Sequence, residues 1–419
     1  MPHNAFYAQS GGVTAVINAS AAGVIAEAKA HPDTIGTLYA GRDGIIGALT
    51  EELIDITAES ESDLAALLHT PSGAFGSCRY KLKSIEEHRT QYERLIEVFK
   101  AHDIRYFFYN GGGDSQDTAH KVSQLSEKMG FPITCIGVPK TMDNDLPITD
   151  CCPGFGSVAK YTAVSILEAS FDVASMQRTS TKVFVMEVMG RHAGWVAASA
   201  ALARDERGMG PDIILFPEVP LDEARFLEQI DRVVAERGFC MIVVSEGAKD
   251  ATGEFLSSSG TTDAFGHAQL GGVAPVIVNK IKQHAGYKCH WAVCDYLQRA
   301  ARHIASQTDV DQAYELGRAA VRYAVNGENA VMPVVVRESD QPYRWHIDKA
   351  PLSAVANVER CLPADYITDD GFHITDKARR YLSPLIEGEA YPPYQNGLPD
   401  YRVLNKSVIP KKCAEFNDL

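Results

Sequence analysis

The chain has 419 residues, of which 45% are hydrophobic and 22% charged, and the length predicts two or three compact units. This composition excludes a disordered or fibrous chain, and the formal net charge of -14 would repel a nucleic-acid backbone, so we expect no nucleic-acid partner. No stretch approaches the ~20 apolar residues of a membrane helix, and the N-terminus lacks the plan of a signal peptide, so we expect a cytoplasmic protein without a membrane partner.

Short apolar runs alternate with segments of helical periodicity, and each run is predicted to be a strand. In chain order the predicted strands are Ala5–Gln9, Arg105–Asn110, Ile133–Val138, Val183–Met189, Asp212–Phe216 and Met241–Ser245. An alanine-rich helical pattern from about Val13 to Lys29 follows the first strand, and a helix that stops at Gly130 follows the second. Strands that alternate with helices predict the α/β class, with parallel sheets covered on both faces.

Two glycine-rich turns, Ser10–Gly12 and Gly111–Gly113, lie between a predicted strand and a predicted helix. Such turns let the backbone approach a phosphate closely, and the helix N-terminus presents free N–H groups to the anion. Neither turn matches the P-loop pattern GxxxxGK[ST] or the dinucleotide pattern GxGxxG, so both of those site classes are disfavoured. Taken alone, each turn is more often a tight connection without a ligand than a phosphate site.

The segment Pro139–Asp145 (PKTMDND) follows directly on the predicted strand Ile133–Val138. Ligands of open α/β sheets bind beyond the carboxyl ends of the strands, which places one cation and two carboxylates on the ligand side. Phosphoryl transfer to an alcohol needs a base for the hydroxyl, a metal ligand and a cation against the transferring charge. The segment contains all three kinds of group, which a loop of merely solvated residues would not require.

Six segments resemble the successive signatures of the phosphofructokinase family, in family order. They are SGG (10–12), GGGDS (111–115), PKTMDND (139–145), MGRHAGW (189–195), SEG (245–247) and YLQR (296–299). The resemblance covers roughly residues 5 to 330, and it implies two parallel-sheet α/β domains with the active site in the cleft between them. It also implies a division of the chain into a phosphoryl-donor domain (1–153 with about 265–330), a fructose 6-phosphate domain (154–264) and a C-terminal extension (331–419) that completes the second domain.

The reaction implied by the resemblance is reversible transfer of a phosphoryl group from pyrophosphate to the 1-hydroxyl of fructose 6-phosphate, giving fructose 1,6-bisphosphate and phosphate. Asp143 matches the general base, and Arg191 matches a residue at the reacting centre. The sugar-phosphate contacts are implied for Thr141, Met142, Asp143, Met189, Gly190, Arg191, Glu246, Tyr296 and Arg299. Lys182 stands where relatives supply an arginine to the site of a neighbouring subunit, so we expect a homodimer or homotetramer.

The pyrophosphate side of the site is implied for Gly12, Arg79, Asp114 and Lys140. ATP-using members resemble GGDGS and PGTIDND, whereas pyrophosphate-using members carry Asp and Lys at the places of Asp114 and Lys140. A carboxylate at Asp114 would overlap and repel the α-phosphate of a nucleotide. An ammonium at Lys140 could stabilise the charge that develops on the leaving phosphate.

Magnesium is the cofactor that the resemblance implies, and one position departs from the family pattern. Gly113 stands where many relatives place an aspartate associated with the metal, so no side chain is available there. Because magnesium usually keeps several waters and few protein ligands, we expect Asp145 to take part, with Asp117 as a second candidate.

Several alternatives stay open at the level of the sequence. An ATP-dependent phosphofructokinase is the nearest, and a non-catalytic regulator that binds sugar phosphates is a second, because a fold alone does not imply turnover. Another phosphosugar, such as sedoheptulose 7-phosphate, could replace fructose 6-phosphate as the acceptor. A lipid or NAD kinase is more distant, because it would give no reason for PKTMDND or MGRHAGW.

Overall fold

The computed structural model of the protein describes residues 1–82, 86–262, 268–270 and 272–418. Within these ranges eight strands form one large sheet and four form a second sheet, which confirms the predicted α/β class. All six strands predicted from apolar runs are present, with ends that differ by at most two residues. None of the helices in the described ranges has both the length and the apolar character needed to cross a membrane.

The strands are numbered in chain order. They are β1 (His3–Ser10), β2 (Ile35–Gly41), β3 (Leu53–Asp55), β4 (Ser77–Cys78), β5 (Ile104–Gly111), β6 (Thr134–Pro139), β7 (Val183–Val188), β8 (Ile213–Leu215), β9 (Cys240–Ser245), β10 (Ser258–Thr262), β11 (Ala268–Leu270), β12 (Cys289–Val293), β13 (Val331–Asp340), β14 (Tyr343–Pro351), β15 (Tyr394–Gln395) and β16 (Leu398–Pro399).

The helices follow the same order. They are α1 (Ile17–Ala30), α2 (Ile45–Leu49), α3 (Glu61–Ala66), α4 (Arg89–Ala101), α5 (Gly113–Lys128), α6 (Phe155–Met176), α7 (Trp195–Ser199), α8 (Glu223–Arg237), α9 (Val273–Ala285), α10 (Asp295–Ala300), α11 (Gln307–Val325), α12 (Leu352–Val355) and α13 (Asp376–Leu382).

The large sheet has the strand order β14-β13-β6-β5-β1-β2-β3, and the short β4 pairs with β1. Its centre is parallel: β2, β1, β5, β6 and β13 pair in parallel, while β3 and β14 add antiparallel edges. The central strands are almost continuously apolar, and Phe107 and Phe108 on opposite faces of β5 are both fully buried. Helices covering both faces of a parallel sheet produce this pattern.

The second sheet has the order β12-β7-β9-β8, and all of its pairs are parallel. Its inner strands β7 and β9 are buried nearly throughout, while β12 lies at an edge. Two short antiparallel pairs, β10 with β11 and β15 with β16, complete the strands of the described residues.

The structure differs from the predicted division of the chain in two places. β12, which the division assigned to the donor domain through residues 265–330, pairs along its length with β7 in the second sheet. β13 and β14, which were expected to complete the second domain, extend the large sheet beside β6. The reason is that sheet membership is set by hydrogen bonds to strands far away in the sequence. The predicted boundary at 264–265 lies outside the described residues.

The rest of the C-terminal extension packs against both halves of the molecule. Residues between Leu362 and Leu385 pack into the core around Trp195. The last residues return to the large sheet, where Ile409 N donates to Leu53 O at 2.9 Å. The extension therefore contacts both the half built on the large sheet and the half built on the second sheet.

Candidate active site

Residues at or just after the carboxyl ends of six strands line one cleft of about 1090 Å³. Three of these strands, β1, β5 and β6, belong to the large sheet, and three, β7, β9 and β12, belong to the second sheet. The cleft thus lies between the two sheets, at the edge where open α/β sheets bind ligands.

Most of the site residues predicted from the sequence meet in this cleft. They are Gly12, Arg79, Gly113, Asp114, Lys140, Thr141, Met142, Asp143, Asp145, Met189, Arg191, Glu246, Tyr296 and Arg299. Gly190 joins them through its backbone, because its N–H donates to Glu246 Oε1 at 3.4 Å.

Two predicted residues lie elsewhere. Lys182 precedes β7 at the end of that strand opposite the cleft, and its Nζ donates to Gln177 O at 2.5 Å, so it does not reach the cleft of its own chain. The Asp117 carboxylate lies 2.6 Å from Lys121 Nζ, one turn further along α5. Burial and then the Asp117 charge raise the pKa of Tyr92 on α4, so Asp117 faces that helix instead of the cleft.

Asp143 lies on a tightly folded loop after β6. Its N–H donates to Thr141 Oγ1 at 3.1 Å, and the next residue, Asn144, adopts a left-handed backbone conformation with φ of 54°. Burial raises the pKa of Asp143 to about 7, with further contributions from the Asp145 and Glu246 charges. A carboxylate whose pKa lies near neutral pH suits a general base.

Lys140 connects this loop to the first glycine turn. Its Nζ donates to Gly12 O at 2.6 Å, and the residue is only 4% exposed. Burial lowers the pKa of Lys140 to about 8, an effect that the nearby Asp145 and Asp143 carboxylates partly offset. The ammonium therefore lies between the glycine turn and the proposed base.

Two arginines approach the same turn. A Cβ at Gly12 would lie 2.8 Å from Arg299 Nη1 and 3.5 Å from Arg79 Nη2, so only glycine leaves these guanidinium groups in place. Both arginines also act on the pKa of Lys140 and lower it. Three cations thus converge beside one glycine turn, in a protein whose overall charge is strongly negative. Arg299 was predicted to contact the sugar phosphate, and its guanidinium lies beside the glycine turn that was predicted to bind pyrophosphate.

Asp114, at the start of α5, is paired with a cation that the sequence analysis missed. Its Oδ1 lies 2.5 Å from Lys81 Nζ, and both side chains are about one-third exposed to the cleft, at 34% and 35%. The available signal was the position of Lys81 two residues after Arg79. The pair holds the Asp114 carboxylate in the cleft at the start of α5.

Residues that follow β7 and β9 form the wall of the cleft that carries Arg191 and Glu246. Ser245 Oγ donates to Gly190 O at 2.5 Å, and a Cβ at Gly247 would lie 1.9 Å from Arg191 O. The close approach explains why the motif that contains Glu246 ends in glycine. Burial raises the pKa of Glu246, while the Gly190 N–H and then Arg191 oppose the rise. Glu246 and the Arg191 segment are therefore held side by side.

The segment around α10 completes this side. The buried Gln298 accepts a hydrogen bond from Met189 N at 3.3 Å, a positioning contact that the sequence analysis missed. The Arg299 guanidinium carbon lies 3.7 Å from the centre of the Tyr296 ring, which is 58% exposed. Stacking on the ring orients the guanidinium.

The C-terminal extension also reaches the cleft, which no sequence motif indicated. Asn357, Val358 and Glu359 line its wall, and Glu359 Oε2 lies 3.0 Å from His192 Nδ1. A Cβ at Gly113 would meet only Asn357 N, at 3.9 Å, so the missing side chain leaves open space beside the extension.

The sequence profile of the phosphofructokinase family matches residues 4–324. The chain belongs to this family. It is 66% identical over 411 residues to a pyrophosphate--fructose 6-phosphate 1-phosphotransferase of Methylococcus capsulatus, with 98% of each chain covered. It is 65% identical to the enzyme of that name from Halomonas elongata, with 99% of each chain covered.

A crystal structure described as a pyrophosphate-dependent phosphofructokinase from Nitrosospira multiformis has the same fold. It superimposes with a TM-score of 0.92 at 61% sequence identity, covering 99% of this chain and 100% of the other. The family resemblance read from six short motifs is therefore confirmed over nearly the whole chain.

Proposed function

We propose that this phosphofructokinase transfers a phosphoryl group reversibly from pyrophosphate to the 1-hydroxyl of fructose 6-phosphate. The observation that carries the proposal is the convergence of Arg79, Lys140 and Arg299 on the first glycine turn, next to Asp143. Pyrophosphate is a small, highly charged anion, and a compact cluster of cations is the kind of site that such an anion needs. The names of the similar enzymes from Methylococcus capsulatus and Halomonas elongata agree with this donor.

The geometry supports a direct in-line transfer. Asp143 takes the proton of the sugar 1-hydroxyl, and the freed oxygen attacks the nearer phosphorus of pyrophosphate. The bridging P–O bond breaks, and its electrons leave with the second phosphate. Lys140, between the base and the glycine turn, stabilises the charge on that leaving group. Arg191 and Glu246 hold the sugar on the opposite wall.

The Asp114 carboxylate is the group that we expect to exclude ATP from the cleft. The Asp114 carboxylate is held there by Lys81, so it cannot easily swing away from an incoming nucleotide. An α-phosphate beside it would meet like-charge repulsion and steric overlap, while pyrophosphate has no third phosphate to place there.

Magnesium fits the residues present. Asp145 Oδ1 is buried in the cleft wall without a hydrogen-bond partner, which leaves it available to a cation. No group of three or more His, Cys, Asp or Glu side chains in the described part of the chain could hold a metal, so Asp145 would share the ion with substrate oxygens and water, as is usual for magnesium. When bound, the ion would withdraw charge from the phosphoryl oxygens.

The test of the proposal is a coupled assay of wild type and Asp114→Gly with fructose 6-phosphate and magnesium. The wild type should turn over with pyrophosphate and not with ATP, while Asp114→Gly should accept ATP and use pyrophosphate less well, because the repelling carboxylate is gone. Equal wild-type turnover with both donors would contradict the donor assignment. No turnover with either donor, in a protein that still binds fructose 6-phosphate, would favour the non-catalytic regulator.

We also propose that the working unit is a homodimer or homotetramer in which Lys182 serves the sugar-phosphate site of a neighbour. The support is its position, remote from the cleft of its own chain. Mixing inactive Lys182→Ala with inactive Asp143→Ser should restore part of the activity, because each hybrid pair regains one intact site. No recovery after subunit exchange has been demonstrated by mass spectrometry would count against a shared site.

A further inference from the structure

The extension passes between the two halves of the cleft at residues 357–362. Asn357 to Glu359 line the cleft, and the next residue, Arg360, points its guanidinium at the loop that carries Asp143. No motif of the family covers this part of the chain, which lies beyond residue 324. The contacts of Arg360 show what this crossing does.

The Arg360 guanidinium holds the loop by its backbone. Its Nε and Nη2 donate to Asn144 O at 3.1 and 2.8 Å, and its Nη1 donates to Thr149 O at 2.5 Å and Asp150 O at 3.1 Å. The backbone N–H of Arg360 adds a bond to Asp145 O at 2.7 Å. One residue therefore binds four carbonyls of the loop that follows Asp143, including that of the next residue, Asn144.

The contacts of Arg360 stabilise the left-handed backbone conformation of Asn144. A non-glycine residue with φ of 54° is held by its surroundings, because the conformation is sparsely populated in a free chain. The Asn144 side chain is itself fixed, donating to Tyr381 Oη at 3.0 Å and accepting from Cys152 N at 3.0 Å. The turn that aims Asp143 into the cleft thus depends on the extension for two of its anchors.

Arg360 and Leu362 also contact the half of the molecule that carries Arg191. Trp195 Nε1 donates to Arg360 O at 3.0 Å, and the guanidinium carbon lies 5.0 Å from the centre of the Trp195 ring. Two residues later, Leu362 N donates to Glu218 Oε1 at 2.9 Å, and Gly194 N donates to the same oxygen at 2.9 Å. Trp195 and Gly194 end the motif that contains Arg191.

We infer that Arg360 is a positioning residue for phosphoryl transfer, which fixes the Asp143 loop relative to the Arg191 segment. The inference rests on the proposed function, because it assigns the loop a catalytic role. Arginine is required because its planar fork donates to three carbonyls at once, whereas a lysine ammonium has one nitrogen and would reach fewer of them. Arg360 touches neither substrate in this arrangement and acts through the loop.

The experiment compares Arg360→Ala, Arg360→Lys and a matched control, Arg379→Gln. Arg379 also belongs to the extension and also donates to a backbone carbonyl, Ala201 O at 2.9 Å, but it does not line the cleft. For each folded variant one measures kcat, KM for both substrates and the dissociation constant of fructose 6-phosphate. Arg360→Ala is then assayed again with added guanidinium chloride at millimolar concentration.

Misplacement of a reacting group by about 1 Å can cost as much as 10²-fold, so kcat should fall roughly thirtyfold in Arg360→Ala and less in Arg360→Lys. KM and sugar binding should change little, guanidinium should restore part of kcat, and Arg379→Gln should resemble the wild type. If Arg360→Ala does not fold, Arg360→Lys provides the test: its kcat should fall while its KM for both substrates changes little. A kcat near that of the wild type, or equal losses in the control, would overturn the inference. Since every value is a ratio to the wild type with its best donor, an error in the donor assignment would leave this test intact.

Discussion

Replacing Asp143 by serine is expected to lower kcat by 10²- to 10⁴-fold, the range that a positioned general base contributes. The carboxylate lies in the cleft with its pKa raised to about 7 by burial and by the Asp145 and Glu246 charges, so it can accept a proton near neutral pH. Serine cannot take that proton, while the contacts that Arg191 and Glu246 offer to the sugar remain. Steady-state kinetics should therefore show a lower kcat with a nearly unchanged dissociation constant for fructose 6-phosphate.

Asp150→Ser is the matched control for this prediction. Asp150 belongs to the same loop and is mostly buried, but it pairs with Arg337 Nε at 3.0 Å and does not line the cleft. Loss of the Asp150 carboxylate should lower the midpoint temperature of unfolding and should change kcat little. If Asp143→Ser kept kcat within a few-fold of the wild type, or if both variants lost kcat equally, Asp143 would not be the base.

The part of the fold that the sequence predicts consists of strands buried on both faces. β5 and β9 read as continuous apolar runs because helices cover both of their faces. β12 (CHWAV) was not predicted because its apolar run is short and interrupted by His290, and its place is set by pairing with β7. The hairpin of β13 and β14 was missed because Pro333 interrupts the apolar start of β13, and polar residues alternate with apolar ones along much of β14.

The site residues, like the strands, were only partly predictable from the sequence. Residues such as Asp143 and Arg191 were predictable because they lie in short motifs that directly follow strands. Lys81 and Arg360 were not, because each acts through a contact with a residue distant in the sequence. Gln298 lies in the motif YLQR, but the motif did not indicate its contact with Met189 N. Motifs thus predict the groups that face substrate, and they do not predict the groups that hold those residues in place.

The electrostatics of the cleft follow from its burial. With a net charge of -14, the protein as a whole repels pyrophosphate, so binding depends on the local field of Arg79, Lys140 and Arg299. Burial disfavours the ammonium form of Lys140 and lowers its pKa to about 8. The Asp145 and Asp143 carboxylates oppose this fall, and the Arg299 and Arg79 charges add to it. A bound anion would favour the ammonium form again, so the charge of the site and the presence of donor are coupled.

Lys140→Met should lower kcat with pyrophosphate by about a hundredfold, or ~3 kcal/mol, the usual loss when one preorganised group that stabilises developing charge is removed. Methionine approximates the volume of the buried stem and deletes only the ammonium that donates to Gly12 O at 2.6 Å. KM for pyrophosphate should change much less than kcat, because Arg79 and Arg299 still bind the ground state while Lys140 acts on charge that appears as the bridging bond breaks.

Lys160→Met provides the control, because Lys160 is also buried and also donates to a backbone carbonyl, Gly388 O at 2.6 Å, but lies outside the cleft. It should keep its kcat. The pH dependence gives a second check: the pKa of Lys140 is about 8, so the ammonium is present below that pH and is lost as the pH rises through it. The ratio of wild-type to Lys140→Met kcat/KM for pyrophosphate, which reports the protein before the donor binds, should therefore be largest near pH 6 and shrink above pH 8. A ratio that stays constant across this range would mean that Lys140 contributes through its shape, and its role on the leaving phosphate would have to be abandoned.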